Sequence, residues 1–356
     1  MNENVNANYE LQNDIDCSDT INWDEDNDGV AEGFNPINPF SGIFDGQDHI
    51  ILNLNINTPL KDYVGLFSQI GDTAIIRSVG LEGGDIRGRK FVGGLVGRNA
   101  IGSVFSSYAI VDVSGDESVG GLIGKIYYMG GEVSSSHASG SVSGNMFVGG
   151  LVGENDRGSV SSSYASGSVS GNMFVGGLAG YTIKGSISSS HASGSVNGGS
   201  RVGGLVGHTN RGPISSSYAS GSVSGNGDLV GGLLGFNDRG PISSSYASGN
   251  VNGGGRVGGL LGYQEAGSIS SSYASGSVSG VGEVGGLVGY SRDGGISSSS
   301  FWNTETSGMS SSAGGDGKTS TQMKDQSSYP DAWDFTNVWA IDANINEGYP
   351  HLMVMD

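Results

Sequence analysis

A six-residue core, Val148-Gly149-Gly150-Leu151-Val152-Gly153, returns again and again along the chain and limits what it can become. Its Val-Gly-Gly-Leu part begins at Val92, Val119, Val148, Val175, Val202, Val230, Val257 and Val284, and a shortened form, Val64-Gly65-Leu66, precedes them. Successive starts from Val64 lie 28, 27, 29, 27, 27, 28, 27 and 27 residues apart. A sustained period of this length marks a solenoid, propeller or repeat array. In such arrays one unit cannot bury its apolar face alone and leans on its neighbours.

The unit that begins at Val148 divides into three short segments: Val148 to Gly153, Ser159 to Ser166, and Ser168 to Gly171. Glu154 to Gly158 and Asn172 to Phe174 lie between them. Short runs of Val, Ile and Ser separated by Gly and Asn read as strands joined by tight turns, and no unit holds a helical period. The sequence therefore predicts an all-β parallel β-solenoid (β-helix), with about three short strands per 27–29-residue coil. Adjacent coils would sit about 4.8 Å apart. Leu151, Val160 and Val169, with Ala165 filling a thin core, are expected to point inward in apolar ladders. The Gly149-Gly150 pair predicts a bend where side chains would clash. It is not a phosphate loop, because no helix follows it in any unit.

The ends differ from the body, as solenoid caps must. Residues 1–57 form an N-terminal cap with an acidic loop, 58–300 the repeat body, and 301–356 a C-terminal aromatic cap. Tyr9 to Asp16, Phe40 to Gln47 and His49 to Ile56 read as strands by alternation. Trp302, Trp333 and Trp339, three of four tryptophans, mark the C-terminal plug.

The low hydrophobic fraction of 35% and the 67 glycines would suggest disorder without the period. The net charge of −19 is carried by the ends: −11 over residues 1–90, −2 over 91–300 and −6 over 301–356. No basic stripe exists to meet a nucleic acid. No apolar run approaches the length of a membrane span. Cys17 stands alone, so no intramolecular disulfide can form. The start has neither the basic nor the apolar region of a signal peptide, and the chain is expected to be a mature fragment of a secreted or cell-surface protein.

The repeated core, followed by Gly-x-Ile/Val-x-x-x-Tyr/His-Ala and Gly-x-Val, resembles the GLUG motif of bacterial and archaeal secreted and surface proteins. Phe40-Ser-Gly-Ile-Phe-Asp-Gly46 is similar to the usual start of such regions. Phe301-Trp-Asn-Thr-Glu-Thr-Ser-Gly308, Thr321-Gln-Met-Lys324 and Gly348-Tyr-Pro-His-Leu352 are similar to their usual end. The resemblance implies a repeat scaffold in an adhesin-like protein, an extracellular location, and no catalytic residues to carry over. A serine run, Ser161-Ser162-Ser163 and its equivalents, departs from the commoner pattern.

Candidate sites are few. Asp24-Glu-Asp-Asn-Asp-Gly29 offers Asp24, Asp26 and Asp28 at alternate positions, the Val30 carbonyl and Glu32, a set of hard oxygens suited to calcium. Asn35 stands where the bidentate Glu of a calcium loop would be, so a solvated acidic loop is the competing reading. Along the body, Arg157, Lys184, Arg211 and Arg239 form one column, and Tyr181, His208, Phe236, Tyr263 and Tyr290 another. Together they would make a basic and aromatic strip for an acidic glycan. The plainer reading is charges closing turns and rings shielding edges.

A second aromatic column runs Tyr108, His137, Tyr164, His191, Tyr218, Tyr246 and Tyr273. Its two histidines are two coils apart, too far for one metal ion. Ser161 and Ser163, with Ser134/Ser136 and Ser188/Ser190, would line one flat hydroxyl face, the basis of an ice-binding alternative. The body's few acids, Glu154, Asp156, Asp238 and Glu265, have no histidine partner, which argues against catalysis. The expected function is a non-catalytic extracellular module: a rigid solenoid presenting a lateral face to surface glycan or another surface protein, with self-assembly open. Ice binding and a polysaccharide-active β-helix enzyme are the alternatives.

Overall fold

The computed structural model describes residues 4–25, 27–128, 130–292 and 299–353, and they form a parallel β-solenoid. Val119 pairs with Val148, Val148 with Val175 and Val175 with Val202, all in parallel, so each repeat makes one turn. Three sheets run the length of the body. One has eight strands of the Met146–Gly149 type and one has nine of the Val152–Asp156 type. The third collects Ser159–Ser161, Tyr164–Ala165, Val169–Ser170 and their equivalents.

The six-residue core is thus split between two sheets, with its bend at Gly150-Leu151. The bend is tight enough to exclude side chains. A Cβ on Gly150 would lie 2.1 Å from the Gly177 carbonyl oxygen and 2.8 Å from the Ala165 Cβ. Backbone cannot yield there, so only glycine fits. Leu151, Val160, Val169 and Ala165 are all buried, stacked on their equivalents as expected.

Buried polar ladders line the corners. Ser163 Oγ donates to the Ser161 carbonyl and accepts from the Ser136 N–H at 3.2 Å. The same pair of bonds repeats at Ser136, Ser190, Ser217, Ser245 and Ser272. Asn155 closes its turn by accepting from the Gly158 N–H at 2.9 Å and donating to the Gly158 carbonyl. These side chains satisfy backbone groups that the turns take out of the sheets.

The N-terminal cap is itself coil-like. Tyr9–Glu10 and Ile15–Asp16 pair in parallel with Ile43–Asn57, a single 15-residue strand where alternation suggested two. Parallel stacking also continues past residue 300. Phe301–Asn303 pairs with Tyr273–Ala274 and then with Asp316–Lys318. Phe301 falls on the tyrosine column and Trp302 on the alanine column, where its ring covers Gly286 and closes the apolar core. The segment after it crosses the last coil, with Gly286 N–H donating to the Ser311 carbonyl, Ala313 N–H to the Val288 carbonyl, and Met309 packed on the core. Met323, Tyr329, Trp333, Trp339, Tyr349 and Leu352 form a second core on the flank, over Tyr246 and Tyr273.

Candidate lateral binding strip and acidic loop

Two outward columns flank the Gly-Gly-Leu bend and interleave along the solenoid. The first holds Tyr63, Phe91, Phe147, Phe174, Arg201 and Arg256, the residues before the repeated valine, with Ser118, Leu229 and Glu283 in the other coils. The second, by strand register, is Gln69, Arg98, Lys125, Glu154, Tyr181, His208, Phe236, Tyr263 and Tyr290. Phe174 lies 5.4 Å from Tyr181 and 5.6 Å from His208 between ring centroids. From Tyr181 to Tyr263 the rings tilt against each other, by 36° for Tyr181–His208, 31° for His208–Phe236 and 61° for Phe236–Tyr263, whereas Tyr263 and Tyr290 stack within 12°. Tilted, half-buried rings leave parts of their faces to solvent. Such faces are what the apolar side of a sugar ring stacks on.

Tyr181, Phe236 and Tyr263 therefore lie on one strip, as the sequence suggests. The cations on that strip are different from those expected. Arg98 lies over Tyr63 and Tyr127, Lys125 over Phe91 and Tyr127, Arg201 over Phe174 and Phe236, and Arg256 over Tyr263 and Tyr290. Arg157, Lys184, Arg211 and Arg239 stand in a separate exposed column at the next corner, each with φ between 55° and 67°. Arg239 pairs with its neighbour Asp238 at 2.6 Å, and Arg157 faces Asp156 and the Tyr128 ring. Spacing alone cannot reveal this. It aligns residues along the axis but says nothing of how far around the coil two columns stand.

His208 sits in the middle of the strip, nine-tenths buried, and neither ring nitrogen has a hydrogen-bond partner among the described residues. Burial pushes its pKa down to about 3, with Arg201 adding to the fall and Asp238 opposing it. Burial likewise raises the Tyr181 hydroxyl. Lys125 is paired with Glu154 at 2.8 Å, and Arg256 with Asp228 and Glu283 at 2.7 and 2.9 Å.

The other aromatic column behaves differently. Tyr108, His137, Tyr164, His191, Tyr218, Tyr246 and Tyr273 stack with centroids 4.6 to 5.0 Å apart and planes within 6° of parallel. Each ring covers its neighbour's face, so only edges reach solvent and a sugar has nothing to stack on. His137 and His191 are separated by the Tyr164 ring, and burial lowers both of their pKa values. The hydroxyl face expected of Ser161 and Ser163 is not formed. Ser162 has φ of 46°, which turns Ser163 inward while Ser161 stays half-exposed.

In the acidic loop, one carboxylate oxygen each from Asp24, Asp28 and Glu32 lie within 4.8 Å of one another. Asp24 accepts from the Asp28 and Gly29 N–H groups at 3.2 and 2.9 Å, and Asp28 accepts from the Val30 N–H at 2.8 Å. Asp26 lies outside the described residues. The set of hard oxygens suits a calcium ion.

Residues 144–170, 171–197 and 253–279 match the family described as the GLUG motif. Halomucin from Haloquadratum walsbyi (strain DSM 16790 / HBSQ001) is 38% identical over 128 residues, which is 33% of this chain and 1% of halomucin. The chain thus spans a very small part of that relative. A crystal structure of a candidate immunoglobulin A1 protease from Bacteroides ovatus aligns over 97% of this chain and 85% of that one, at 21% identity and a TM-score of 0.39. Three coils of this solenoid thus match the GLUG motif, two of them consecutive.

Proposed function

We propose that the chain is a rigid, non-catalytic spacer of a secreted or cell-surface protein, and that its lateral aromatic strip binds glycan. The half-buried rings of Tyr181, Phe236 and Tyr263, tilted about the buried His208, are the observation that carries this reading. The likeness to halomucin supports the surface setting. Among the described residues no helix is long and apolar enough to cross a membrane. The body's acids support a non-catalytic role, since Glu154, Asp238 and Glu265 are held by Lys125, Arg239 and Arg292.

A glycan array with the wild-type chain and a Tyr181→Ser/Phe236→Ser variant tests this. Signals that the wild type gives and the variant loses support the strip. Identical signals from both, or none from either, would leave a passive stalk.

A further inference from the structure

Two of the strip's four cations already have partners, Lys125 in Glu154 and Arg256 in Asp228 and Glu283. Arg98 and Arg201 are the exceptions: neither makes an ion pair among the described residues. The two are built alike. Each guanidinium lies against two aromatic rings, at 5.5 and 4.8 Å for Arg98 and 4.9 and 5.8 Å for Arg201. In each, Nε is buried without an acceptor, while no buried terminal nitrogen is orphaned. Among the described residues no protein acceptor takes those terminal nitrogens, and none is buried, so they keep access to solvent.

A guanidinium that rests on two rings without a carboxylate partner is less free to move than one on an open surface. It is ready to take a planar anion in two parallel hydrogen bonds. The rings beside it offer an apolar face to whatever carries that anion. Four coils separate the Arg98 and Arg201 positions by register, roughly 19 Å at the strand spacing. The acidic ends do not cancel this, because at physiological salt exposed charges beyond about 8 Å are largely screened.

The geometry points to Arg98 and Arg201 as two carboxylate-binding subsites on the strip, for an acidic glycan of the uronate class laid along the solenoid axis. The sugar ring stacks beside the guanidinium, on the exposed Tyr127 at Arg98 or on the half-buried Phe236 at Arg201, and its carboxylate accepts from the guanidinium fork. This rests on the reading of the strip as a glycan face and adds the ligand's charge to it. A glutamate-rich peptide could supply the carboxylate but has no ring for the aromatic faces.

Titration calorimetry of the full chain with an oligogalacturonate, and with the same oligomer as its methyl ester, tests the assignment. Arg201→Gln, Arg98→Gln and Arg157→Gln variants are compared, with thermal melts to show that each keeps its fold. The wild type should bind the acid form about tenfold more tightly than the ester, as expected for a charge-assisted pair. Arg201→Gln and Arg98→Gln should each lose much of that preference, and Arg157→Gln should keep it. Equal binding of acid and ester, or a preference untouched by Arg201→Gln, would overturn the assignment and leave glycan binding at the strip standing. Tighter binding of dextran sulfate or poly-glutamate than of oligogalacturonate would overturn the uronate class. Binding of neither oligomer would do so too, with the array then deciding whether the strip binds glycan at all.

Discussion

His208 shows what stacking demands of a single side chain. Its ring is enclosed by Phe174, Tyr181 and Phe236, with Arg201 and Asp238 as the nearby charges. A charged imidazole there would be unsolvated and beside a guanidinium, so the folded state holds it neutral. The unfolded chain takes up the proton near the usual histidine value of 6.5, whereas the folded chain does so only near 3. The unfolded state therefore binds more protons between those values, and stability is full above about pH 6.5 and falls as the pH drops toward 3. His137 and His191, also lowered by burial, act in the same direction. Replacing His208 by Phe, which already occupies this column at position 236, should remove the largest share. Urea melts at pH 7 and pH 5 should show His208→Phe losing less stability than the wild type. An equal loss in both proteins would mean that His208 is protonated in the fold.

At the scale of elements, the repeat period and the buried ladders were legible in the sequence, while the facing of individual residues was not. Alternation assumes that side chains switch sides at every step, but each coil breaks that rule at its corners. In the coil from Val148, Phe147, Arg157 and Ser162 have φ of 57°, 65° and 46°. Each left-handed residue flips the alternation, so Val160 and Ser163 are both buried although an odd number of steps separates them. That flip hid the serine ladder inside, and it set the Arg157 column apart from Tyr181. Nothing in residue type announces it, since Ser, Arg and Phe are not habitual left-handed residues.

The closeness of the acidic loop's carboxylates was more legible, because they are near in sequence. Three carboxylates held this close repel one another unless a cation joins them. Millimolar calcium chloride should therefore raise the melting temperature of the wild type, by linkage to the folded state, and should leave an Asp24→Asn/Asp28→Asn variant unchanged. A melting temperature that ignores calcium, or one that rises equally in both proteins, would end that proposal.

For the whole molecule, the consequence of one coil per repeat is that length can change without a change of fold. Each coil meets only its two neighbours, so stability is close to a sum over adjacent pairs. The two ends are already provided for. The cap strands extend the N-terminal sheet, Trp302 closes the core at the other end, and the last parallel strand, Asp316–Lys318, is only three residues long. Short edges of this kind resist pairing with another chain. Deleting residues 144–170 joins Ser143 to Gly171, the same kind of junction as the natural Ser170-Gly171. Val119 then takes Val175 as its partner with every ladder in register. The shortened chain should melt in one cooperative transition a few degrees below the wild type, and small-angle scattering should find it shorter by about 4.8 Å. Deleting only residues 144–156 removes less sequence but sets strand types of different sheets against each other. That variant should lose the cooperative melt. Survival of the smaller deletion and collapse of the larger one would contradict stacking by whole coils, and with it the continuous strip on which the glycan reading depends.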